Sequence, residues 1–382
     1  MAQYQKYGIN PLLISIITGQ DVKEVSPRPN AGALPGTYGK IVAKNMDKVI
    51  ERVPKNIYRL RCTTCGKAGD YDLGTAVMDV KQYYEHSSQN AARVDIADFI
   101  QISGYFRCKH CNAAAGWEFV GAGKNMLMMG FTTAMIAPSI GLENTAQRFM
   151  VGNILIDGGY CPQWGTDAEE HYLKKLSQTP QEAFIWNRLG NAYLKGKRAD
   201  LAATAFEQAV TIDSGQLESH YSLGGILFEI GQLETAALHL RQALACAHRY
   251  QHMPADALRN MLVSGMQMLF EINVQTGKSV PVIPLEEELA AAREPGLDKN
   301  TSLAVDRMVA LNIYPDKPNT LLAAAELYMG KRREEIPQAK RELKLWSLSE
   351  QAMVLNRSAL RPLAQVNKQA PQKKKDKKKR RR

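Results

Sequence analysis

The sequence predicts a multidomain α+β protein, in which a small β-rich module precedes an all-α domain of helical repeats and a disordered basic tail. Three observations support this fold class. Two Cys-X-X-Cys pairs lie between positions 62 and 111, and nine of the ten residues from 373 to 382 are lysine or arginine. Two segments between 183 and 250 are related by a repeat period of about 34 residues, which is typical of stacked helical units.

Composition and charge indicate a globular body with one strongly basic end. The length of 382 residues suits about two or three domains, and 45% of the residues are hydrophobic. The formal net charge of +11 divides into +5 for residues 1–124, −2 for 125–372 and +8 for 373–382. Most of the basicity therefore belongs to the tail and not to the body.

Several features indicate an intracellular location. The first residues lack the basic start and the small-residue cleavage site of a secretory signal. The uncharged stretch 125–142 is interrupted by Gly, Thr, Pro and Ser, so we expect it to be buried or interfacial and not a transmembrane segment. Four of the six cysteines form close pairs, which is more typical of metal binding in a reducing compartment. We expect a cytoplasmic protein.

The pairs Cys62-Thr-Thr-Cys65 and Cys108-Lys-His-Cys111 have the spacing of metal-binding knuckles. Two residues between cysteines allow one turn to present two thiolates to the same ion, and two turns fill the tetrahedral shell that zinc prefers. The surroundings of the knuckles repeat at the constant offset that relates Cys62 to Cys108, and each half reads as strand, knuckle, strand. The predicted strands are 58–61, 71–73, 105–107 and 117–120.

Residues 56–120 resemble the zinc-ribbon family in this layout, apart from a long and partly helical insertion at 75–102. We therefore expect one structural Zn²⁺ held by the four cysteines, with no position left for a catalytic water. A redox dithiol, two disulfides or coincidence are the alternatives, but neither knuckle has the strand-to-helix setting of a thioredoxin-like motif.

The repeat carries a specific pattern of large and small residues. Gly190 and Ala202 are small enough for two antiparallel helices to approach closely, while large side chains fill the space between them. The pattern comprises Trp186, Leu189, Gly190, Tyr193, Ala202, Phe206 and Ala209, followed by His220, Leu223, Gly224, Leu227, Ala236, Leu240 and Ala243. It resembles the tetratricopeptide-repeat family over about 183–250.

Two departures from regularity stand out in the repeats. His220 replaces Trp186, and the turn glycine is Gly196 in the first unit but one place later, Gly231, in the second. Two units rarely suffice, because each must bury a face against a neighbour. Further helices are therefore expected at 256–272, 302–311, 320–327 and 334–355.

The family resemblance implies a concave surface that binds a protein or peptide. The residues expected on this surface are Asn187, Asn191, Leu194, Lys195, Tyr221, Phe228 and Glu229. Alternatively, the array only holds its neighbours or a homodimer together.

The basic tail has too few apolar residues to form a core. Its charge would favour nucleic acid or another polyanion, through Lys373, Lys374, Lys375, Lys377, Lys378, Lys379, Arg380, Arg381 and Arg382. No convergent acid, base and nucleophile are recognisable, so we do not expect an enzyme. The sequence favours an interaction adaptor with a structural zinc site, and the alternative is a nucleic-acid-associated zinc-ribbon protein whose repeats serve assembly.

The predicted organisation has five parts. They are an N-terminal segment of uncertain role at 1–55, the zinc-ribbon-like module at 56–120, a joining segment at 121–165, the helical repeat domain at 166–364 and the tail at 365–382.

Overall fold

The computed structural model describes residues 8–90, 96–141, 148–292, 313–314 and 316–343. A β-rich region is followed by a run of helices, as the sequence predicted. The strands are β1 (Ile57–Cys62), β2 (Ala68–Asp72), β3 (Ala76–Met78), β4 (Ile100–Ile102), β5 (Trp117–Phe119) and β6 (Phe149–Val151). The helices are α1 (Pro11–Thr18), α2 (Tyr38–Lys44), α3 (Val80–Asn90), α4 (Gly123–Ile136), α5 (Gly165–Gln178), α6 (Ala183–Lys195), α7 (Ala199–Ile212), α8 (Leu217–Glu229), α9 (Leu233–Cys246), α10 (Ala255–Gln275), α11 (Glu286–Ala291) and α12 (Pro318–Tyr328).

The β-rich module contains two three-stranded sheets. The first has the order β2-β1-β5 with antiparallel neighbours, and residues of β1 alternate between exposed and buried because Tyr58, Leu60 and Cys62 face the core. The second has the order β4-β3-β6, in which β6 runs parallel to β3. The insertion at 75–102 therefore supplies two strands as well as the expected helix α3.

The prediction of a β-strand at 105–107 is wrong. This segment is buried, and the Tyr105 amide donates to the Gly196 carbonyl oxygen, 3.1 Å away, at the end of α6. Tyr105 belongs to the hydrophobic core of the helical array, whereas the next residue, Phe106, belongs to the core of the module. The segment thus joins two cores and does not extend a sheet.

Part of the segment 121–165 forms regular secondary structure, although none was predicted there. Helix α4 buries Leu127 and Phe131 in the module core, while Met126 and Met129 on its other side are exposed. A Cβ at Gly130 would overlap the Phe149 ring of β6, so this glycine permits close packing of α4 on the sheet. Among the described residues, no helix is both long and apolar enough to cross a membrane.

The helical array consists of pairs that stack in chain order. Helix α6 packs on α7, α8 packs on α9, and α10 packs on α8, α9 and α12. A Cβ at Gly190 would overlap the Phe206 ring, which confirms that this small residue permits close helix contact. The N-terminal segment covers the start of the array, because α1 contacts α5 and α2 contacts α7.

The additional helices were partly predicted. The expected helices at 256–272 and 320–327 correspond to α10 and α12, and residues 302–311 lie outside the described part. The prediction of a helix at 334–355 is wrong for residues 334–343, the part that the structure describes. This part contains only short 3-10 turns. Glu326 explains this, since its buried carboxylate accepts from the amides of Glu342 and Leu343, both at 2.9 Å, and holds the chain against α12.

His220 stands at the position that Trp186 occupies in the first unit, and its ring is paired with a second histidine. Its Nδ1 lies 2.9 Å from Nδ1 of His239 on α9, and its Nε2 lies 3.1 Å from the Ser214 carbonyl oxygen. Burial lowers the pKa of His220 to about 4 and that of His239 to about 3. Both rings are therefore neutral near pH 7, and a buried polar pair replaces an aromatic core residue.

The displaced turn glycine also has a structural explanation. The left-handed residue of each turn is Lys197 in the first unit (φ 62°) and Gly231 in the second (φ 81°), and these two positions are equivalent in the repeat. Gly196 has φ −79° and is needed for another reason. A Cβ there would lie 2.6 Å from Cβ of Tyr105. Gly196 thus permits the module to dock on the array.

Gly196→Ala should lower the free energy of unfolding by about 1–3 kcal/mol, because the added methyl group overpacks the contact with Tyr105. The matched control is Gly225→Ala on α8, where a Cβ meets no atom within 4 Å. This control should raise stability by up to about 1 kcal/mol through helix propensity. Urea denaturation measures both, and equal effects of the two variants would contradict the docking role of Gly196.

Candidate functional site

The four paired cysteines converge in the module, and the two knuckles have equivalent backbone geometry. In the first, the Gly66 amide donates to the Cys62 carbonyl oxygen at 2.8 Å. In the second, the Asn112 amide donates to the Cys108 carbonyl oxygen at 2.9 Å. Gly66 and Asn112 both have positive φ, 71° and 62°, as residues that close such a turn require. The similarity of the two knuckles in sequence therefore reflects a repeated turn.

The sulfur atoms of these cysteines form a compact cluster. Sγ of Cys62 lies 3.6 Å from that of Cys111, and Sγ of Cys65 lies 3.7 Å from that of Cys108. All four atoms lie within 4.8 Å of one another. Four sulfurs bound to one tetrahedral zinc at about 2.3 Å would be separated by about 3.8 Å. The cluster therefore has dimensions that suit one metal ion.

The thiols of the second knuckle differ in acidity. Burial disfavours the Cys108 thiolate, but the amides of Cys111 and His110 donate to it and lower the pKa to about 7. Burial and the neighbouring thiols raise the pKa of Cys111 to about 12. Without a metal, ionisation of the second knuckle would thus begin at Cys108. A divalent ion would favour thiolates at all four positions.

The second knuckle is fastened to the rest of the protein by two polar side chains. Arg107 Nε donates to the Asn112 carbonyl oxygen at 3.1 Å, which braces the turn from inside. Asn112 Nδ2 donates to the carbonyl oxygens of Ile9 (3.0 Å) and Pro27 (2.9 Å) in the N-terminal segment. The first knuckle is more exposed, since Thr63, Thr64 and Gly66 face solvent.

A buried carboxylate on α5 connects the thiol cluster with the array. Glu169 is fully buried and accepts four hydrogen bonds. The donors are Arg107 Nη1 (2.7 Å), Tyr105 Oη (2.8 Å), Tyr193 Oη (2.7 Å) and Asn10 Nδ2 (3.1 Å). Burial and the Glu169 charge raise the pKa of both tyrosines, so they remain neutral donors. Module, array and N-terminal segment meet at this single side chain.

The residues expected on the concave surface fall into four groups. Asn187 is fully buried, with its amide 2.9 Å from the Ser219 hydroxyl, so it joins α6 to α8. Tyr221 and Phe228 are half-buried and pack on the array core. Glu229 is engaged by the segment between α2 and β1, because it accepts from the Ile50 amide at 3.2 Å and forms an ion pair with Arg52.

The fourth group lines two cavities between the module and the array. The first cavity, of about 760 Å³, is bounded by β2, β6, residues 43–55 and the chain from Leu194 to Asp200. The second, of about 400 Å³, lies between α6 and residues 154–164. Leu194 lines the first cavity, Asn191 lines the second, and Lys195 lines both.

Sequence reasoning missed Glu169, Tyr105 and the strap of residues 49–55 that crosses the array. A signal existed for Glu169, since it lies three, four and seven residues before Tyr172, Leu173 and Leu176, on the apolar stripe of an amphipathic helix. A glutamate in that position must be paired if the stripe is buried. No local signal identifies the strap, and the tail at 373–382 lies outside the described residues.

Comparison with known proteins supports the repeat. The family model for the tetratricopeptide repeat matches residues 185–216, which correspond to α6, α7 and the turn before α8. No curated protein matches the chain. The first of the two repeats found by self-similarity is therefore confirmed, and the four-cysteine cluster agrees with a zinc-ribbon-like module.

Glu169→Gln should destabilise the protein by about 3–5 kcal/mol, because it leaves the buried Arg107 without a counter-charge. It should also speed transfer of the bound metal to a chelating dye, since Arg107 braces the second knuckle. Glu170→Gln, on the exposed side of α5, is the matched control and should change stability by less than about 0.5 kcal/mol. Urea denaturation and dye absorbance measure the two effects, and a Glu169→Gln protein as stable as the control would contradict the network's role.

Proposed function

We propose that this protein is an interaction adaptor in which a structural zinc ion maintains a module that docks on a helical repeat array, and that module and array together bind a partner protein. The observation that carries the proposal is the repeat itself. Stacked helix pairs with a tetratricopeptide match expose long surfaces that are typical of protein binding.

The chemistry of the donor set favours zinc. Four thiolates without a carboxylate or a water position suit a closed structural site, and soft sulfur ligands select zinc over magnesium or calcium. The module core is small, with 11 buried residues in its main cluster, and a metal bound in the folded state adds to its stability. The proposed role of the ion is structural.

A binding role is also favoured over catalysis by the charges around the cavities. Most ionisable side chains of the lining are engaged with one another. Lys197 pairs with Asp72 at 2.8 Å, and Arg198 pairs with Asp200 at 2.8 Å. Burial opposes ionisation of Asp200, but Arg198 outweighs it and lowers the pKa of the carboxyl group. Such pairs stabilise walls and do not provide a free acid or base.

Protein purified under reducing conditions without chelator should contain about one equivalent of zinc by mass spectrometry of metals. Cys62→Ser and Cys108→Ser should each abolish most of this content and lower the melting temperature. Cys161→Ser removes an exposed lone thiol and should retain the wild-type content. Less than about half an equivalent of zinc in the wild type, or iron in its place, would refute the zinc assignment.

Affinity purification with the full chain tests the adaptor role. A partner protein should be retained after nuclease treatment, and Asn191→Arg should remove it by placing a bulky cation on the face of α6. Gln181→Arg, an exposed change just before the same helix, should retain it. Absence of any retained protein, or retention only of nucleic acid that depends on residues 373–382, would refute the adaptor proposal.

A further inference from the structure

The two cavities adjoin and form one elongated groove. They share Ser103, Ile154 and Lys195 in their walls, so a chain can pass from one to the other. We call this combined space the junction groove. It lies between module and array, and neither part contains it alone.

The floor of the groove is the face of the second sheet that α4 leaves uncovered. Val77 of β3 is paired with Met150 of β6 and with Gln101 of β4, so the three side chains share this face. Gln101 Nε2 donates to the carbonyl oxygens of Ile154 (2.8 Å) and Pro162 (2.9 Å), which fixes the loop that forms one wall. The floor and that wall are thus built by ordered contacts.

The lining exposes large apolar side chains to solvent. Ile50 on the strap is 61% exposed, Ile57 53%, Met150 50% and Leu155 56%. Exposed apolar side chains concentrated along one concave path indicate a surface that another molecule covers. Because the groove is open and elongated, an extended polypeptide matches its shape better than a compact ligand.

The charged side chains of the groove indicate the sign of the charge that this occupant carries. The cations of the lining other than Lys195 have partners: Arg52 with Glu229, Lys55 with Glu51, Lys109 with the Asp70 carbonyl oxygen, Lys197 with Asp72, Arg198 with Asp200 and Arg188 with Glu218. Among the described residues, Lys195 has none. Desolvation by its surroundings lowers the pKa of the Lys195 amine, so a bound anion would stabilise its charged form.

The groove suits one carboxylate better than a polyanion. The acidic side chains Glu51, Asp70 and Asp72 also line it, and they would repel successive phosphates of a nucleic acid. A single negative charge at Lys195, flanked by apolar groups, avoids this repulsion.

We propose that the junction groove binds an extended segment of the partner protein, with an aspartate or glutamate carboxylate paired to Lys195 and apolar side chains covering the floor around Met150. The proposal rests on the adaptor function and specifies its binding site. Docking of the module on α6 and α7 creates this site, so the metal module contributes directly to recognition.

A library of displayed random linear peptides, selected for binding to the immobilised full chain, tests this inference. Enriched sequences should contain an acidic residue between apolar residues. Synthetic fluorescein-labelled versions, measured by fluorescence anisotropy, should bind Lys195→Glu at least about tenfold more weakly than wild type, since a tenfold loss needs only about 1.4 kcal/mol. A new selection on Lys195→Glu should enrich lysine or arginine in place of the acidic residue.

Two matched controls separate the groove from general surface effects. Lys174→Glu, an exposed change on α5, should leave peptide affinity within about twofold of the wild-type value, as expected for a distant surface charge. Met150→Asp should weaken binding, whereas Met129→Asp, an exposed methionine on the free side of α4, should not. Circular dichroism and zinc content confirm that all four variants are folded.

Three results would overturn the inference. They are the absence of enriched peptides, enriched peptides without an acidic preference, and affinities that Lys195→Glu and Met150→Asp leave unchanged. Binding of dodecanoate that Lys195→Glu abolishes, without any enriched peptide, would assign the groove to a small amphiphile instead. One of these results can occur while affinity purification with the wild type still retains a partner that Asn191→Arg removes. In that case the adaptor function stands and the proposed pairing of a carboxylate with Lys195 is refuted.

Discussion

The buried carboxylate of Glu169 is the constraint on which the arrangement of the parts depends. An unpaired charge in a protein interior costs several kcal/mol, so the folded state requires the donors that surround it. Asn10, Tyr105, Arg107 and Tyr193 supply them from the N-terminal segment, the module and α6. Their convergence fixes the module against the array at one point. Packing alone would tolerate small shifts, but four hydrogen bonds to one buried carboxylate do not.

Four consecutive residues transmit this constraint to the thiol cluster. Tyr105 enters the array core, Phe106 enters the module core, Arg107 bonds to Glu169, and Cys108 belongs to the thiol cluster. Moving the second knuckle would therefore disturb two cores and a buried ion pair together. The thiol cluster, whose second knuckle includes Lys109 of the groove lining, helps to determine the position of the module that forms the floor of the junction groove. The thiol cluster and the junction groove are thus physically coupled.

Much of this architecture could be predicted where a short stretch of chain determines the outcome. The knuckle spacing and the repeat period depend on local turns and on helix packing within one unit, and both were found from sequence. The Glu169 network could not be assembled in this way, because its hydrogen bonds join residues as far apart as 159 positions. The turn glycines illustrate the difference. Gly196 was interpreted as a displaced turn residue, but its reason is the distant Tyr105, and Lys197 takes the strained backbone position.

The same distinction between local and long-range contacts explains why only some of the predicted binding residues line the groove. Position within the repeat predicted that Asn187 and Glu229 face a common surface, but other parts of this chain engage both of them. Ser219 bonds to one, and the strap bearing Ile50 and Arg52 covers the other. A repeat array with appended segments uses part of its surface for its own assembly. Binding to other molecules then depends on what assembly leaves unpaired. Lys195 lies where module and array meet and has no ion-pair partner in the part of the chain that the structure describes, so recognition is best sought at this boundary.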